Sequence, residues 1–231
     1  MKIEQYIREM TRPINGQYPR PWMTDSTMPE RSEVFIVGRN QAKTYPVELL
    51  RDHDQHIDAL FNRNGEGCRG LYDKLYPAPS PTRKNIARLS RLLKDRGIED
   101  ILETNVICYS TPMSSDLSQA EHRGGAARGT ELFTGLLNFI RPRVVIAHGA
   151  GTVADLARVL KTEKFSVPDG PAKVCFHDVD KLRIYPIPSL APPAWNSWSR
   201  WADEYLGRVS EHIRTFLQAH GERTHTSLPE C

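Results

Sequence analysis

Residues 34–42 read Val34-Phe35-Ile36-Val37-Gly38-Arg39-Asn40-Gln41-Ala42. Four apolar residues run into a glycine, then polar side chains, then a very small one. A short unbroken apolar run closed by a turn residue reads as a strand buried on both faces. We place a strand at 33–38. The polar residues that follow it stand where such a strand would present side chains to a ligand.

The same punctuation recurs along the chain. Residues 12–32 hold four prolines and many polar side chains, so residues 1–32 are expected to form an N-terminal arm before the core. "PVELLRDHDQHIDALF" has near-helical apolar spacing and predicts a helix over 46–61. "NRNGEGCRGLYDKLYPAP" is a glycine-containing connection with a short helix. The next helix opens at Ser80 as N-cap with Pro81 at its first position. It carries Ile86, Leu89, Leu92 and Leu93 on one face and stops at Gly97. "ILETNVICY" is a strand over 101–109. The polar loop "SSDLSQAEHRGGAARG" leads to a helix near 129–140, ended by Pro142, with Leu132, Phe133, Leu136, Leu137 and Ile140 inward. "RVVIAHGAGT" is a strand with a glycine turn, and "TVADLARVLK" the helix after it. "KLRIYPIP" is a strand over 181–188. Trp198, Trp201, Tyr205, Val209, Ile213 and Phe216 mark a last helix over 194–219, and the polar tail 220–231 is expected to be loose.

Strands alternating with helices predict an α/β fold, a three-layer α/β/α sandwich on a central four-stranded parallel sheet. One domain is expected over residues 1–231, with its core at 33–219. The length of 231 residues, with 39% apolar and 26% charged residues, suits one compact globular unit. No apolar run approaches the ~20 residues of a membrane helix. Charges interrupt the apolar residues of the N-terminus, unlike a signal peptide, so a cytoplasmic address is expected. A net charge of +3 permits an acidic partner such as nucleic acid without demanding one.

Cys68, Cys108, Cys175 and Cys231 form no C-x-x-C pair, and Cys108 and Cys175 fall in apolar strand-like runs. They read as reduced structural residues, with no metal site. His53 and His56 stand one helical turn apart but lack an H-E-x-x-H context, and read as a solvated helix face.

In parallel sheets, ligands bind at the carboxyl ends of the strands. Four stretches occupy those ends: Arg39 to Ala42, Asn105 to Ser110, His148 to Thr152, and Ile187 to Leu190. Asn40 offers an amide able to orient a water but poor as a base. Asn105 can donate and accept along a heterocycle edge. "HGAGT" puts small residues before a helix N-terminus, a phosphate seat. "PIPSLAPPAWNSWSR" is a proline-rich loop with a serine hydroxyl and aromatic residues. The dinucleotide fingerprint, the P-loop and the G-x-S-x-G elbow are all absent.

Taken together and in this order, the four stretches resemble the uracil-DNA glycosylase superfamily over roughly residues 33–200. The superfamily's first motif, a strand followed by G-x-[DN]-P, stands here as Gly38-Arg39-Asn40-Gln41. The asparagine strand stands as Thr104-Asn105-Val106, the glycine turn as "VVIAHGAG", and the final H-P-S-P-L or N-P-S motif as Ile187-Pro188-Ser189-Leu190. The resemblance implies a monofunctional enzyme that hydrolyses an N-glycosidic bond in DNA and leaves an abasic site, without metal or cofactor. The partner it implies is DNA carrying a modified or damaged pyrimidine, bound by a monomer. Asn40 would position the hydrolytic water and Asn105 would read the flipped base. Arg39, Gln41, Ala42, Tyr72 and His148 would complete the base side, with Tyr72 as stacking ring and Tyr76 as its structural rival. Ser189 would hold a phosphate. Ser110, Gly149, Leu190, Trp195 and Arg200 would lie along the DNA, with Leu190 in the wedge region and Trp195 as the alternative wedge.

Departures from the family pattern refine the expectation. The catalytic aspartate is Asn40, as in the mismatch-specific branch. The leaving-group histidine is Ile187, which has no N–H to give a departing base. The cysteine spacing is not that of the iron–sulfur branch. The tyrosine that rejects 5-substituted pyrimidines is Ala42, which opens that side of the pocket. A bulky 5-modified cytosine, such as the glucosylated hydroxymethylcytosine of phage DNA, is therefore the expected substrate, and antiviral defence the expected role. A uracil or mismatch repair glycosylase, a non-catalytic DNA-binding module of the same fold, and a hydrolase of free nucleotides are the alternatives.

Overall fold

The fold is given by a computed structural model, in which residues 1–219 are described. In chain order the elements are α1 (Ile3–Met10), β1 (Gln17–Tyr18), β2 (Val34–Gln41), β3 (Tyr45–Pro46), α2 (His53–Leu60), α3 (Cys68–Leu75) and α4 (Pro81–Lys94). There follow β4 (Ile101–Ser110), α5 (Arg123–Ile140), β5 (Val144–His148), α6 (Ala150–Leu160), β6 (His177–Val179), β7 (Leu182–Ile187) and α7 (Ala194–Ala219). The central sheet runs β4-β2-β5-β7-β6. Its first four strands are parallel, and β6 joins antiparallel to β7. The fold is α/β with helices on both faces, as expected, but the sheet has five strands, not four. The extra strand is three residues long and mostly exposed, and it reaches β7 through a turn at Asp180 with φ 53. Its sequence, His177-Asp178-Val179, is too short and too polar to show a strand pattern, and the apolar run read around Cys175 lies before it.

The period-2 pleat of β2 sorts its side chains between the two layers. Phe35 and Val37 join a core with Ile7 of α1, Ile57 of α2, Leu132 of α5 and Leu156 of α6. Val34 and Ile36 join the opposite core with Leu89 and Leu93 of α4 and Trp198 and Tyr205 of α7. Helix α4 begins as expected, with the Ser80 hydroxyl accepting the Arg83 N–H at 3.2 Å.

Several expectations change. The segment before β2 is part of the fold, not an arm: Ile7 and Trp22 are fully buried. Residues 20–24 line the outer edge of β4. There Arg20 N donates to Cys108 O at 3.3 Å and Met23 N to Glu103 O at 2.8 Å, and Glu103 N donates to the Thr24 hydroxyl at 2.8 Å. Covering an edge strand suits a proline-rich segment, which need not supply every ladder N–H. The helix expected over 46–61 is only His53–Leu60, because Asp52 caps it by accepting from Gln55 N at 2.8 Å. Helix α5 starts at Arg123, earlier than its apolar periodicity suggested. Its glycines allow close approach: a Cβ on Gly129 would sit 2.9 Å from Cys108 N.

His56 is fully buried, not solvated. Its ring lies 5.3 Å from Tyr18 and 5.2 Å from Tyr45, and burial holds its pKa well below the usual imidazole range. His53 is half-buried, stacked on Tyr18 and 2.9 Å from the Thr11 hydroxyl. Cys68, Cys108 and Cys175 are free thiols, and Cys175 lies outside any strand. The tail 220–231, with Cys231, lies outside the described residues. No helix among those described is long and apolar enough to cross a membrane.

Candidate active site

The site assembles where the middle of β4 and the carboxyl half of β2 meet the carboxyl end of β5, on the α4/α7 face. Gly38 is its floor. It pairs in register with Asn105 of β4, one step beyond the Val37–Ala147 pairing that puts His148 of β5 alongside. A Cβ on Gly38 would stand 2.6 Å from Asn105 Oδ1 and 3.1 Å from His148 Nε2. The bare glycine lets both polar groups lean over the middle strand, a close approach that any side chain would obstruct. Asn40, two residues on, shares this face. Its Nδ2 donates to the Thr111 hydroxyl at 2.8 Å, and its Oδ1 accepts from the Ser114 hydroxyl at 2.7 Å. The amide is thereby fixed in orientation while the side chain stays partly exposed.

His148 is buried. Its pKa is pushed down to about 4 by that burial, so the ring is neutral at pH 7. Its Nδ1 has no hydrogen-bond partner among the described residues. Across the sheet it is in register with Ile187 of β7, which is itself fully buried. The corner where the family pattern places a histidine thus holds a core isoleucine, with an imidazole on the neighbouring strand.

Gly149 has φ 90 and opens α6. Its N–H donates to Ile187 O at 2.9 Å, and a Cβ on it would lie 3.3 Å from Ser189 Cβ. The glycine therefore seats the loop after β7 against the first turn of α6. That loop is fastened. Trp198 Nε1 donates to Ser189 O at 2.8 Å, Asn85 Nδ2 to Leu190 O at 2.8 Å, and Ala191 N to Ser189 Oγ at 3.1 Å.

Not every residue singled out in the sequence belongs here. Arg39 points to the opposite face, where its Nε donates to Asp155 of α6 at 2.8 Å. Gln41 is buried and donates to Arg20 O at 2.8 Å. Neither is free to read a base. Ser110 is buried too: its hydroxyl donates to Lys43 O at 3.0 Å, so it ties the fold internally. Leu190 is fully buried in the core beside α4 and α7, which removes it as a wedge. Trp195 is half-buried, its ring 4.8 Å from that of Trp198, while Arg200 and Ala42 are exposed.

Tyr72 is half-buried, but its ring is already occupied. The guanidinium carbons of Arg20 and Arg83 lie over it, 4.8 and 5.2 Å from its centre, and Tyr76 lies at 5.0 Å. Arg20 and Arg83 were not singled out from the sequence. An arginine in a proline-rich segment and one in a charged helix look solvated, and only their burial sets them apart.

Two clefts lie away from this site. One of about 440 Å³ runs along β4 past Asp25, Arg69, Arg91, Lys94 and Glu103. The other, of about 520 Å³, is at the amino ends of the strands, between Arg96, Asp100, Arg143 and Arg214. Neither includes Asn40, Asn105 or His148. Ligand chemistry in parallel sheets belongs to carboxyl ends, so we place the site by its converging polar groups rather than by cleft volume.

No protein-family model matches the chain, and no curated protein matches it.

Proposed function

We propose that the protein is a monofunctional DNA glycosylase of the uracil-DNA glycosylase kind, acting on a bulky 5-modified cytosine. The observation that carries this reading is the meeting of Asn105 and His148 over Gly38, with Asn40 oriented two residues further along the same face. A flipped pyrimidine lies flat on a glycine floor, with its polar edge toward two side chains able to hydrogen-bond it. Asn40 holds a water on the sugar side. The glycosidic bond breaks toward an oxocarbenium-like sugar as the base departs as an anion; the water then adds its oxygen to the anomeric carbon, and the proton it loses neutralises the departed base. Donors from Asn105 and from the neutral imidazole of His148 stabilise that anion, which answers the loss of the family histidine at Ile187. Ala42 is exposed, which supports room beside the base for a large substituent such as a glucosyl group. Restriction of phage DNA is the role that fits such a substrate.

The test is release of abasic sites from duplexes carrying uracil, a thymine mismatch, hydroxymethylcytosine or glucosylated hydroxymethylcytosine. We expect the glucosylated base to be released, and Asn40→Ala to lower the rate about 10³-fold with DNA affinity kept. Release of uracil alone would make the protein a repair enzyme. The buried Ile187 favours a second reading, a DNA-binding module without chemistry, and binding of every duplex with release from none would establish it.

A further inference from the structure

Arg20 is left unused by the glycosylase mechanism. Its backbone lies on the outer edge of β4, and its side chain is packed between rings. The residue is 5% exposed. Its guanidinium carbon stands 5.0 Å from the centre of Tyr45 and 4.8 Å from that of Tyr72. Its Nε and Nη1 are buried without an acceptor. No carboxylate pairs with it among the described residues. The buried carboxylate of this region, Glu103, is already shared between Arg83 at 3.3 Å, Arg69 at 3.7 Å and the Ser90 hydroxyl at 3.4 Å. Arg69 and Arg83 share that carboxylate, and Arg20 has none.

A buried cation without a counter-ion is costly. The tyrosine faces offset part of that cost, but Nε and Nη1 are left without an acceptor. A guanidinium carries planar N–H donors that suit the oxygens of a phosphate. A neutral sugar would leave the excess charge in place, and Tyr72, its natural stacking platform, already carries two guanidinium groups. The cluster adjoins the proposed active site, since Arg20 O accepts from Gln41, the neighbour of Asn40. Outward from Tyr72 lie Tyr76 and then the exposed Lys43, whose ammonium is 5.5 Å from the Tyr76 ring. A second cation thus stands on the outer side of the cluster.

We infer that Arg20, with Arg83 beside the same Tyr72 ring, forms an anion site that takes a phosphate group. Resting on the glycosylase reading, the phosphate is a phosphodiester of the substrate strand next to the flipped nucleotide. The same chemistry would hold a free phosphate or the phosphate of a free nucleotide, and the two sources separate by experiment.

The first arm is thermal unfolding of the full chain in sodium phosphate against sodium chloride at matched ionic strength. Phosphate at about ten times its Kd raises the wild-type Tm by roughly 3 °C. Arg20→Gln abolishes the rise and Arg20→Lys keeps part of it. The second arm is binding to a duplex with an abasic-site analogue, bearing one methylphosphonate at a time around the lesion. At one position the neutral linkage weakens wild-type binding about tenfold and leaves Arg20→Gln unchanged, because the two changes remove one interaction. Equal phosphate responses in wild type and Arg20→Gln, with equal methylphosphonate losses, overturn the proposal. An Arg20-dependent phosphate response without coupling at any linkage assigns the site to free phosphate and overturns the phosphodiester. Loss of all DNA binding with that response intact sinks the glycosylase reading and leaves the anion site standing. If Arg20→Gln fails to fold, Arg20→Lys carries both readouts.

Discussion

At the carboxyl end of β2, positions 38 and 40 lie on the α4/α7 face, Arg39 points to α6 on the other, and Gln41, past a shift in register, reaches the outer edge of β4. The first pair is open. Gly38 contributes no side chain at all, and Asn40 is partly exposed, held by two hydroxyls. The second pair is spent on the fold: Arg39 is bound to Asp155, and Gln41 to the carbonyl of Arg20. Neighbouring positions of one strand are thus open or spent on the fold, as the pleat and the register shift after Asn40 direct them. Three consecutive polar positions, Arg39, Asn40 and Gln41, are not three candidates of equal standing. The backbone sorts them, and the partners waiting on each side decide which is free.

The sharpest way to break this division is Gly38→Ala. The added methyl would stand 2.6 Å from Asn105 Oδ1 and 3.1 Å from His148 Nε2, so both groups must retreat from the base. Misplacement of that size costs catalysis about 100-fold. We expect kcat/KM for base release to fall by about that factor, while affinity for undamaged duplex stays within twofold. An unchanged rate would mean that no base lies on this floor.

The division was partly legible before any coordinates. Apolar runs of four to eight residues closed by glycine or polar turns mark β2, β4, β5 and β7, and Ser80-Pro81 marks the start of α4, because burial and capping are local demands. Asn40, Asn105 and His148 follow from the rule that carboxyl ends of strands bind ligands. What escaped was nonlocal. Arg39 and Asp155 are far apart in the chain, so nothing near Arg39 announces its ion pair. Leu190 resembles a wedge until α4 and α7 close over it. Arg20 and His56 carry polar side chains in stretches that read as solvated, and only the packing of Tyr18, Tyr45 and Tyr72 buries them. The strand β6 is too short and too polar to signal itself.

The next effect concerns the edge of the open face. His148 titrates near pH 6.5 in the unfolded chain but is pushed down to about 4 by burial. Between those values the unfolded chain binds a proton that the folded chain refuses. Stability is therefore full above about pH 6.5 and falls as pH drops toward 4, by on the order of 3 kcal/mol at the foot of the window. His56 acts in the same direction. Glu103, its pKa raised by burial, acts in the opposite one, so the informative quantity is a difference between variants. Urea unfolding of wild type and His148→Asn at pH 7 and pH 5 should show a smaller loss in the variant. Equal losses would mean that His148 takes up a proton at pH 5 as readily in the folded chain as in the unfolded one, so that burial does not hold it neutral.

The smallest effect tests the scaffold face. Arg39→Met removes one of two guanidinium partners from Asp155, whose other oxygen remains bound to Arg158. Asp155 is 5% exposed but the Arg39 side chain is 38% exposed, so solvent screens the pair and its loss costs only about 1 kcal/mol. For a chain of this length that lowers Tm by about 2–4 °C. Base release should stay within twofold of wild type, because the methionine stem still packs where the arginine stem did and Asn40 is held by Thr111 and Ser114 instead. The opposite pattern, an unchanged Tm with release lowered more than tenfold, would place Arg39 against the substrate. The two faces of β2 would then share the chemistry, and alternation along the strand would no longer tell scaffold from site.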